Sequence, residues 1–302
     1  MHKCSWRAAP PVIGVMLAAT MAVSCAARPG QSGADPSAAR SRPDAIISLS
    51  PTGTEMLYAI GAGRQVSAVG QYSDYPPQAP HTRLSEFTPS VEAIVARRPD
   101  LVVIDPEAAR GLARQLAGFG IRVILLPAAT KLADVYAQLD ELGRATGHLA
   151  QARAESRRIR AQITRIVASI PRRSRPLTYY YELSPTYFSV TSDTFVGRLL
   201  ALLGLKSIAD GARAATGASG YPQLSAEAIL TADPDYIFLA DTICCGQSAR
   251  KVAARPGWGL IRAVRQHHVV GLNDDIASRW GPRIVNLLRT VAAALRQHQG
   301  RP

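Results

Sequence analysis

The sequence is poor in cysteine and lacks the common catalytic and nucleotide-binding signatures. Of its four cysteines, Cys4 and Cys25 lie near the N-terminus and Cys244 and Cys245 are neighbours, which excludes an ordinary disulfide framework. The neighbouring pair would form either a vicinal disulfide or two free thiols. No G-x-x-x-x-G-K-[ST] loop, G-x-S-x-G turn or H-E-x-x-H motif occurs. These absences argue against a P-loop NTPase, an α/β-hydrolase and a zinc peptidase.

Lysine is also scarce, although the chain is strongly basic. It occurs only at positions 3, 131, 206 and 251, so arginine carries almost all of the formal net charge of +13. Such a charge favours an anionic partner, either nucleic acid or a membrane surface. With 47% hydrophobic and 19% charged residues over 302 positions, the chain has the composition of a globular protein of about two domains.

The N-terminus has the pattern of an export signal, which favours the membrane surface over nucleic acid. Basic residues precede an apolar run over residues 12–23 that is too short to span a bilayer permanently. Small residues follow, then Cys25, as in a bacterial lipoprotein signal, which implies lipidation of Cys25. Simple secretion with cleavage nearby is the alternative. We expect a signal peptide over residues 1–24 and a flexible tether over residues 25–43.

One segment occurs twice and organises the rest of the chain. Its first copy, at residues 90–105, is SVEAIVARRPDLVVID, and its second, SAEAILTADPDYIFLAD, begins 135 positions later at Ser225. Each copy has a serine N-cap, a glutamate in the first turn, a proline that ends a short helix and an apolar run typical of a buried parallel strand. The repeat predicts two similar α/β lobes that face each other across a cleft, with Glu92 and Glu227 at equivalent positions.

Hydrophobic periodicity supports this division. Strand and helix patterns alternate over residues 44–148 and again over residues 172–302, and apolar residues at helical spacing predict a long connecting helix over residues 149–171. The fold class is therefore α/β, with two lobes joined by a single long helix and a ligand cleft between the lobes.

The first strand and helix have their own local signals. Residues 44–50 form an apolar run that Pro51 would end as a strand. Thr52 or Thr54 would then cap a helix over residues 55–60.

Aromatic residues are concentrated in the loops at the predicted strand ends, where α/β folds bind ligands. A cleft with such walls suits a large, flat, partly apolar ligand with polar fringes, whereas ordinary packing is the alternative for any single ring. The candidate ligand-binding residues are Tyr72, Tyr75, Arg83, Phe87, Tyr187, Tyr221, Arg279 and Trp280.

Three segments resemble class III, or cluster A, substrate-binding proteins of ABC importers for cobalamin, haem or ferric siderophores. They are YSDYPPQA at residues 72–79, YPQLSAE at 221–227 and IISLSP at 46–51. The first is similar to a segment of cobalamin-binding periplasmic proteins. The resemblance covers roughly residues 44–296 and implies two Rossmann-like lobes held apart by a rigid helix, with little hinge closure.

The resemblance implies transport without catalysis. Glu92 and Glu227 would dock onto arginines of the permease subunits, and the lipid on Cys25 would anchor a monomer outside the cytoplasm. The metal chelate would be cargo, so we expect no resident cofactor or metal. Two other classes remain open: an exported two-domain enzyme, for which the sequence has no motif, and a ligand sensor that serves no importer.

A corrinoid is the favoured ligand. Tyr72 and Tyr221 would hold a corrin ring, with Tyr221 in place of a tryptophan. Residues 83–90 depart from the cobalamin-binding pattern, because the segment is shorter and Glu86 and Phe87 stand where those proteins present a tryptophan.

Haem and ferric siderophores therefore remain open as ligands. A haem would take its axial ligand from Tyr72, Tyr187 or His81. An anionic iron chelate would meet Arg83 and Arg279.

Overall fold

The computed structural model describes residues 42–171, 173–212 and 220–297. The predicted signal peptide, Cys25 and nearly all of the predicted tether lie outside the described residues. Within them, strands and helices alternate in two series, as the sequence predicts, but two long helices join the series where the sequence predicted a single one. None of the helices described is both long and apolar enough to cross a membrane.

The first lobe is a parallel sheet covered by helices on both faces. Its elements are β1 (Ile46–Leu49), α1 (Pro51–Ala59), β2 (Val66–Val69), α2 (Val91–Val95), β3 (Leu101–Ile104), α3 (Leu112–Gly118) and β4 (Arg122–Leu125), with a 3-10 turn at Ala62–Gln65. The strand order is β2-β1-β3-β4, and every pair is parallel. The central strands β1 and β3 are buried throughout, as expected for a sheet packed on both sides.

Two helices connect the lobes and pack against each other as a hairpin. They are α4 (Leu132–Thr146) and α5 (Leu149–Ala168), separated by Gly147, whose φ of 76° is left-handed and suits glycine. The helix predicted over residues 149–171 corresponds to α5, which ends at Ala168, and α4 accompanies it as a second connecting helix.

The second lobe repeats the topology of the first. Its elements are β5 (Leu177–Glu182), α6 (Phe195–Ala201), β6 (Leu205–Ser207), α7 (Ala226–Ala232), β7 (Tyr236–Leu239), α8 (Ala249–Ala253), α9 (Arg262–Arg265), β8 (Val269–Gly271), α10 (Asp274–Ser278) and α11 (Ile284–Gln297), with 3-10 turns at Ile208–Ala212 and Trp258–Leu260. The strand order β6-β5-β7-β8 matches that of the first lobe, and all pairs are parallel. The repeated segment forms α2 and β3 in one lobe and α7 and β7 in the other, so the predicted duplication is confirmed.

The first helix begins earlier than predicted. Ser50 is its N-cap and accepts a hydrogen bond of 3.1 Å from the backbone N–H of Gly53. Pro51 is the first helical residue, where its missing N–H breaks no intrahelical hydrogen bond. Thr54 lies inside the helix and donates its hydroxyl proton to Ser48 Oγ at 2.9 Å. The prediction that Thr52 or Thr54 caps the helix was wrong because Pro51 starts this helix as well as ending the strand.

One apolar core passes through both lobes. It joins Met56 of α1 and Leu139 of α4 to Ile159 of α5, Tyr181 of β5 and Leu288 of α11. Each sheet also has a separate core on its other face, around Ile104 in the first lobe and Ile237 in the second. The lobes therefore share packed side chains along the connecting helices, and a change in their relative position would have to rearrange that packing.

Candidate functional site

A cleft opens at the carboxyl ends of the strands of the first lobe, where it faces a loop of the second. A cavity of about 550 Å³ occupies it, and a smaller hollow of about 170 Å³ continues on the side of the second lobe. Both are bounded by Ser278, Arg279 and Trp280. The other walls of the larger cavity are Leu49–Thr52, Tyr72, Glu86, Phe87, Asp105, Glu107, Ala108 and Arg110.

Two exposed aromatic rings form one wall of the cleft. Tyr72 is 53% and Phe87 73% exposed, and their rings meet edge to face with centroids 5.6 Å apart. Such exposure of large apolar side chains at the mouth of a cavity is typical of a ligand-binding surface. Tyr221, which is 47% exposed, lies in the smaller hollow.

Trp280 lines both cavities and is held in place. Its indole Nε1 donates to Gln138 Oε1 at 2.8 Å, and Gln138 Nε2 donates to the carbonyl oxygen of Pro127 at 2.6 Å. Because α4 supplies Gln138, the indole of the second lobe is oriented by the connecting hairpin. This hydrogen-bonded chain presents a preformed aromatic face to the cavity.

Arg279 is already paired with carboxylates. Its guanidinium donates to Glu55 and Asp74 at 3.1 Å each and to Asp275 at 2.7 Å, and its side chain is only 11% exposed. A fourth hydrogen bond of 3.1 Å reaches the carbonyl oxygen of Tyr72. Arg279 lines the cavity as predicted, but its charge is compensated by the protein, so it is poorly placed to meet an anionic chelate.

Glu55 connects the two lobes. This buried carboxylate of α1 accepts hydrogen bonds from Arg279 and also from Arg283, at 3.0 Å and 2.5 Å. Burial alone would lower the pKa of the Arg283 guanidinium, but its pairing with Glu55 outweighs burial and raises the pKa. A Cβ at Gly281 would lie 2.9 Å from Glu55 Oε2, so the absence of a side chain there permits the close approach.

Three predicted ligand-binding residues are not among the described residues that line either cavity. Tyr75 lies beneath the guanidinium of Arg283, 4.0 Å from its ring centroid, in a separate groove. Tyr187 stacks on Trp258 with centroids 5.7 Å apart, at the edge of the core of the second lobe. Arg83 is exposed outside the cavities. The structure therefore brings together Tyr72, Phe87, Tyr221, Arg279 and Trp280 but not these three.

The sequence reasoning missed Glu86 as a cleft residue. It is 5% exposed, lines the cavity, and accepts the backbone N–H of Tyr72 at 2.8 Å through Oε1. Burial raises the pKa of its carboxyl, although the bond from Tyr72 opposes that effect. The available signal was the position of Glu86, directly before the exposed Phe87 in the segment that departs from the cobalamin-binding pattern.

The predicted docking glutamates occupy equivalent, exposed positions. Glu92 follows the N-cap Ser90, whose hydroxyl donates to Glu92 Oε2 at 2.8 Å. Its own backbone N–H, and then this hydroxyl, lower the pKa of Glu92. Glu227 stands at the same position after the N-cap Ser225 in α7. The two helices lead into β3 and β7, so both glutamates lie at the carboxyl edge of their sheets, the edge that forms the cleft.

The cysteine pair lies in the loop after β7. Cys244 and Cys245 are exposed thiols whose sulfur atoms are 2.8 Å apart. Asp274, at the start of α10, accepts the backbone N–H groups of Thr242, Ile243 and Cys244 at 2.8–3.1 Å. The loop therefore contacts the beginning of the helix that leads to Arg279. In the described parts of the chain, no three His, Cys, Asp or Glu side chains are grouped to hold a metal ion.

Comparison with known proteins agrees with this architecture. The family model described as "Periplasmic binding protein" matches residues 46–276. A vitamin B12-binding protein of Vibrio cholerae is 31% identical over 83% of this chain and 88% of its own length. An uncharacterized ABC transporter substrate-binding lipoprotein of Bacillus subtilis is 27% identical over 85% of this chain and 81% of its own.

A solved structure extends the likeness to three dimensions. The periplasmic vitamin B12-binding protein BtuF of Vibrio cholerae superposes with a TM-score of 0.68 at 26% identity, over 86% of this chain and 99% of that one. The match of the family model over most of the chain, together with this shared two-lobed fold, shows that the chain belongs to the periplasmic binding protein family.

Proposed function

We propose that this protein is the extracytoplasmic substrate-binding component of an ABC importer and that its ligand is a corrinoid. The observation that carries the proposal is the cavity of about 550 Å³ lined by the exposed Tyr72–Phe87 pair and by the fixed indole of Trp280. Aromatic side chains that line a preformed cavity suit a large, flat ring system. The relatives named as vitamin B12-binding proteins support the same ligand class.

The geometry gives less support to haem or a ferric siderophore as the ligand. Of the three residues predicted as axial haem ligands, only Tyr72 lines the cavity; Tyr187 packs on Trp258, and His81 is exposed outside the cavity walls. An anionic iron chelate would find Arg83 outside the cavity and Arg279 already paired with three carboxylates. A corrinoid needs neither an axial protein ligand nor a free cation.

Delivery of the ligand to the permease would use the two equivalent glutamates, Glu92 and Glu227. Glu92 and Glu227 are exposed at the same edge of two lobes with the same topology, which suits two-point docking on arginines of the permease subunits. Charged contacts of this kind orient a complex more than they tighten it. In this proposal Cys25 carries a lipid anchor, the protein acts as a monomer, and the chelate is cargo on which the protein performs no chemistry.

Titration of the purified protein tests the ligand. Calorimetry and visible absorption with cyanocobalamin, haemin and a ferric siderophore should show tightest binding to cyanocobalamin. Tyr72→Ala should weaken that binding, whereas Phe119→Ala, which removes an exposed ring outside the cavity, should not. The proposed ligand class is refuted if cyanocobalamin does not bind or if another of the three chelates binds more tightly.

A further inference from the structure

In the position that Glu86 occupies, one of its carboxylate oxygens has no hydrogen-bond partner within the described residues. Oε1 accepts the backbone N–H of Tyr72, but Oε2 is buried and makes no hydrogen bond to any group within the described residues. Gly70 provides the space, because a Cβ there would lie 2.1 Å from the Glu86 carboxyl group. The side chain is therefore fixed against the backbone of Gly70 and Tyr72 at the wall of the cavity.

An unpartnered carboxylate oxygen in such a place is costly unless something donates to it. Buried polar atoms are nearly always hydrogen-bonded, and removal from water without a new partner is unfavourable. Glu86 lines the cleft cavity, so a bound molecule can reach the side chain from that space. The missing donor would then come from the bound ligand.

The charges around Glu86 restrict the kind of ligand. Asp105 and Glu107 line the same cavity, and Arg110 and Arg279 are its cations. Because Arg279 is paired with Glu55, Asp74 and Asp275, it contributes little net positive charge to the cleft. The carboxyl groups of Glu86, Asp105 and Glu107 outnumber Arg110, so the first-lobe wall is acidic on balance. A ligand whose rim carries carboxylates would meet like charges there, whereas one with N–H donors would form charge-assisted hydrogen bonds.

We propose that Glu86 is a specificity-determining residue, whose free oxygen accepts an N–H of a ligand rim made of carboxamides and excludes ligands with a carboxylate rim. This inference rests on the proposed function, because it assumes that the cleft binds a flat metal chelate. Corrinoids have carboxamide side chains, whereas haem has two propionates. Glu86 would therefore select between two rings of similar shape.

The substitution Glu86→Gln tests this role with little change in shape. The amide oxygen can still accept the N–H of Tyr72, while its NH₂ group stands where the free carboxylate oxygen was. We expect the Kd for cyanocobalamin to rise about tenfold or more, as for loss of a hydrogen bond to a charged group. The Kd for haemin should fall, because an acceptor that repels propionate becomes a donor. Glu141→Gln, which removes an exposed charge of α4 outside the cavity, should change neither.

The results separate this inference from the proposed function. If the wild type binds cyanocobalamin more tightly than haemin and Glu86→Gln narrows or reverses that preference, the inference is supported. If the variant, folded by circular dichroism, keeps both wild-type affinities, the role of Glu86 is refuted while the corrinoid function stands. If the wild type binds haemin more tightly, or neither chelate, both are overturned.

Discussion

Asp241 offers the sharpest test of the electrostatics of the second lobe. This carboxyl follows β7 and is fully buried, and its side-chain oxygens have no hydrogen-bond partner among the described residues. Burial, and then the nearby Glu182 carboxylate, raise the pKa of Asp241 from 3.8 to about 7. Arg255 donates to both oxygens of Glu182 at 2.6 Å, and Asp274 is a further acid close by.

The sign of the pH dependence follows from this shift. A carboxyl with a higher pKa in the folded state keeps its proton longer there, so the free energy of unfolding decreases as pH rises from about 4 to 7. The contribution of Asp241 over that window is on the order of a few kcal/mol, since one pH unit of titration corresponds to about 1.4 kcal/mol. Asp241→Asn removes the titration without changing the shape. The stability of this variant relative to the wild type should therefore increase by roughly 2–3 kcal/mol between pH 5 and pH 8.

Urea unfolding followed by tryptophan fluorescence at pH 5, 6, 7 and 8 measures this difference. Asp44→Asn removes an exposed carboxylate and serves as the matched control, with a difference from the wild type that we expect to stay small at every pH. If the difference between Asp241→Asn and the wild type is constant from pH 5 to pH 8, the burial argument for Asp241 is refuted.

Three further predictions concern the cleft and the docking surface. Glu55→Ala should lower the free energy of unfolding by about 3–5 kcal/mol, because it takes from Arg283 the carboxylate that binds both of its nitrogens and from Arg279 one of three carboxylates; a loss below about 1 kcal/mol in urea unfolding would contradict that. Tyr72→Ala and Trp280→Ala should each weaken binding of cyanocobalamin by at least about 1 kcal/mol, as for aromatic anchors, and wild-type affinity by calorimetry would remove either residue from the site. The double variant Glu92→Ala with Glu227→Ala should bind the ligand normally but support no uptake of labelled cobalamin in cells, and an unchanged uptake rate would exclude the docking role.

The fold was predictable because its signals are local. Each copy of the repeated segment is specified by neighbouring residues: a serine N-cap, Ser90 or Ser225, a glutamate in the first turn and a buried apolar run. Because the segment occurs twice, the same pattern could be recognised in both lobes. The error at the first helix was also local. Pro51 both ends the strand and begins the helix, and the side chain of Ser50 is the cap.

The site was only partly predictable because it depends on distant contacts. The sequence placed Tyr75 and Tyr187 at strand ends, but it could not show that Arg283 covers one ring and Trp258 the other. Arg279 lines the cleft cavity, yet its pairing with Glu55 joins residues 224 positions apart in the chain. The orientation of a loop side chain is set by such partners and not by its immediate neighbours.

The core shared by the two lobes has a consequence for kinetics. If the walls of the cleft already stand at their final separation, a ligand meets its binding surface on arrival, and no slow isomerisation follows encounter. The observed association rate should then rise linearly with ligand concentration without reaching a plateau. Selectivity among chelates of similar size would then depend on their dissociation rates from the cleft.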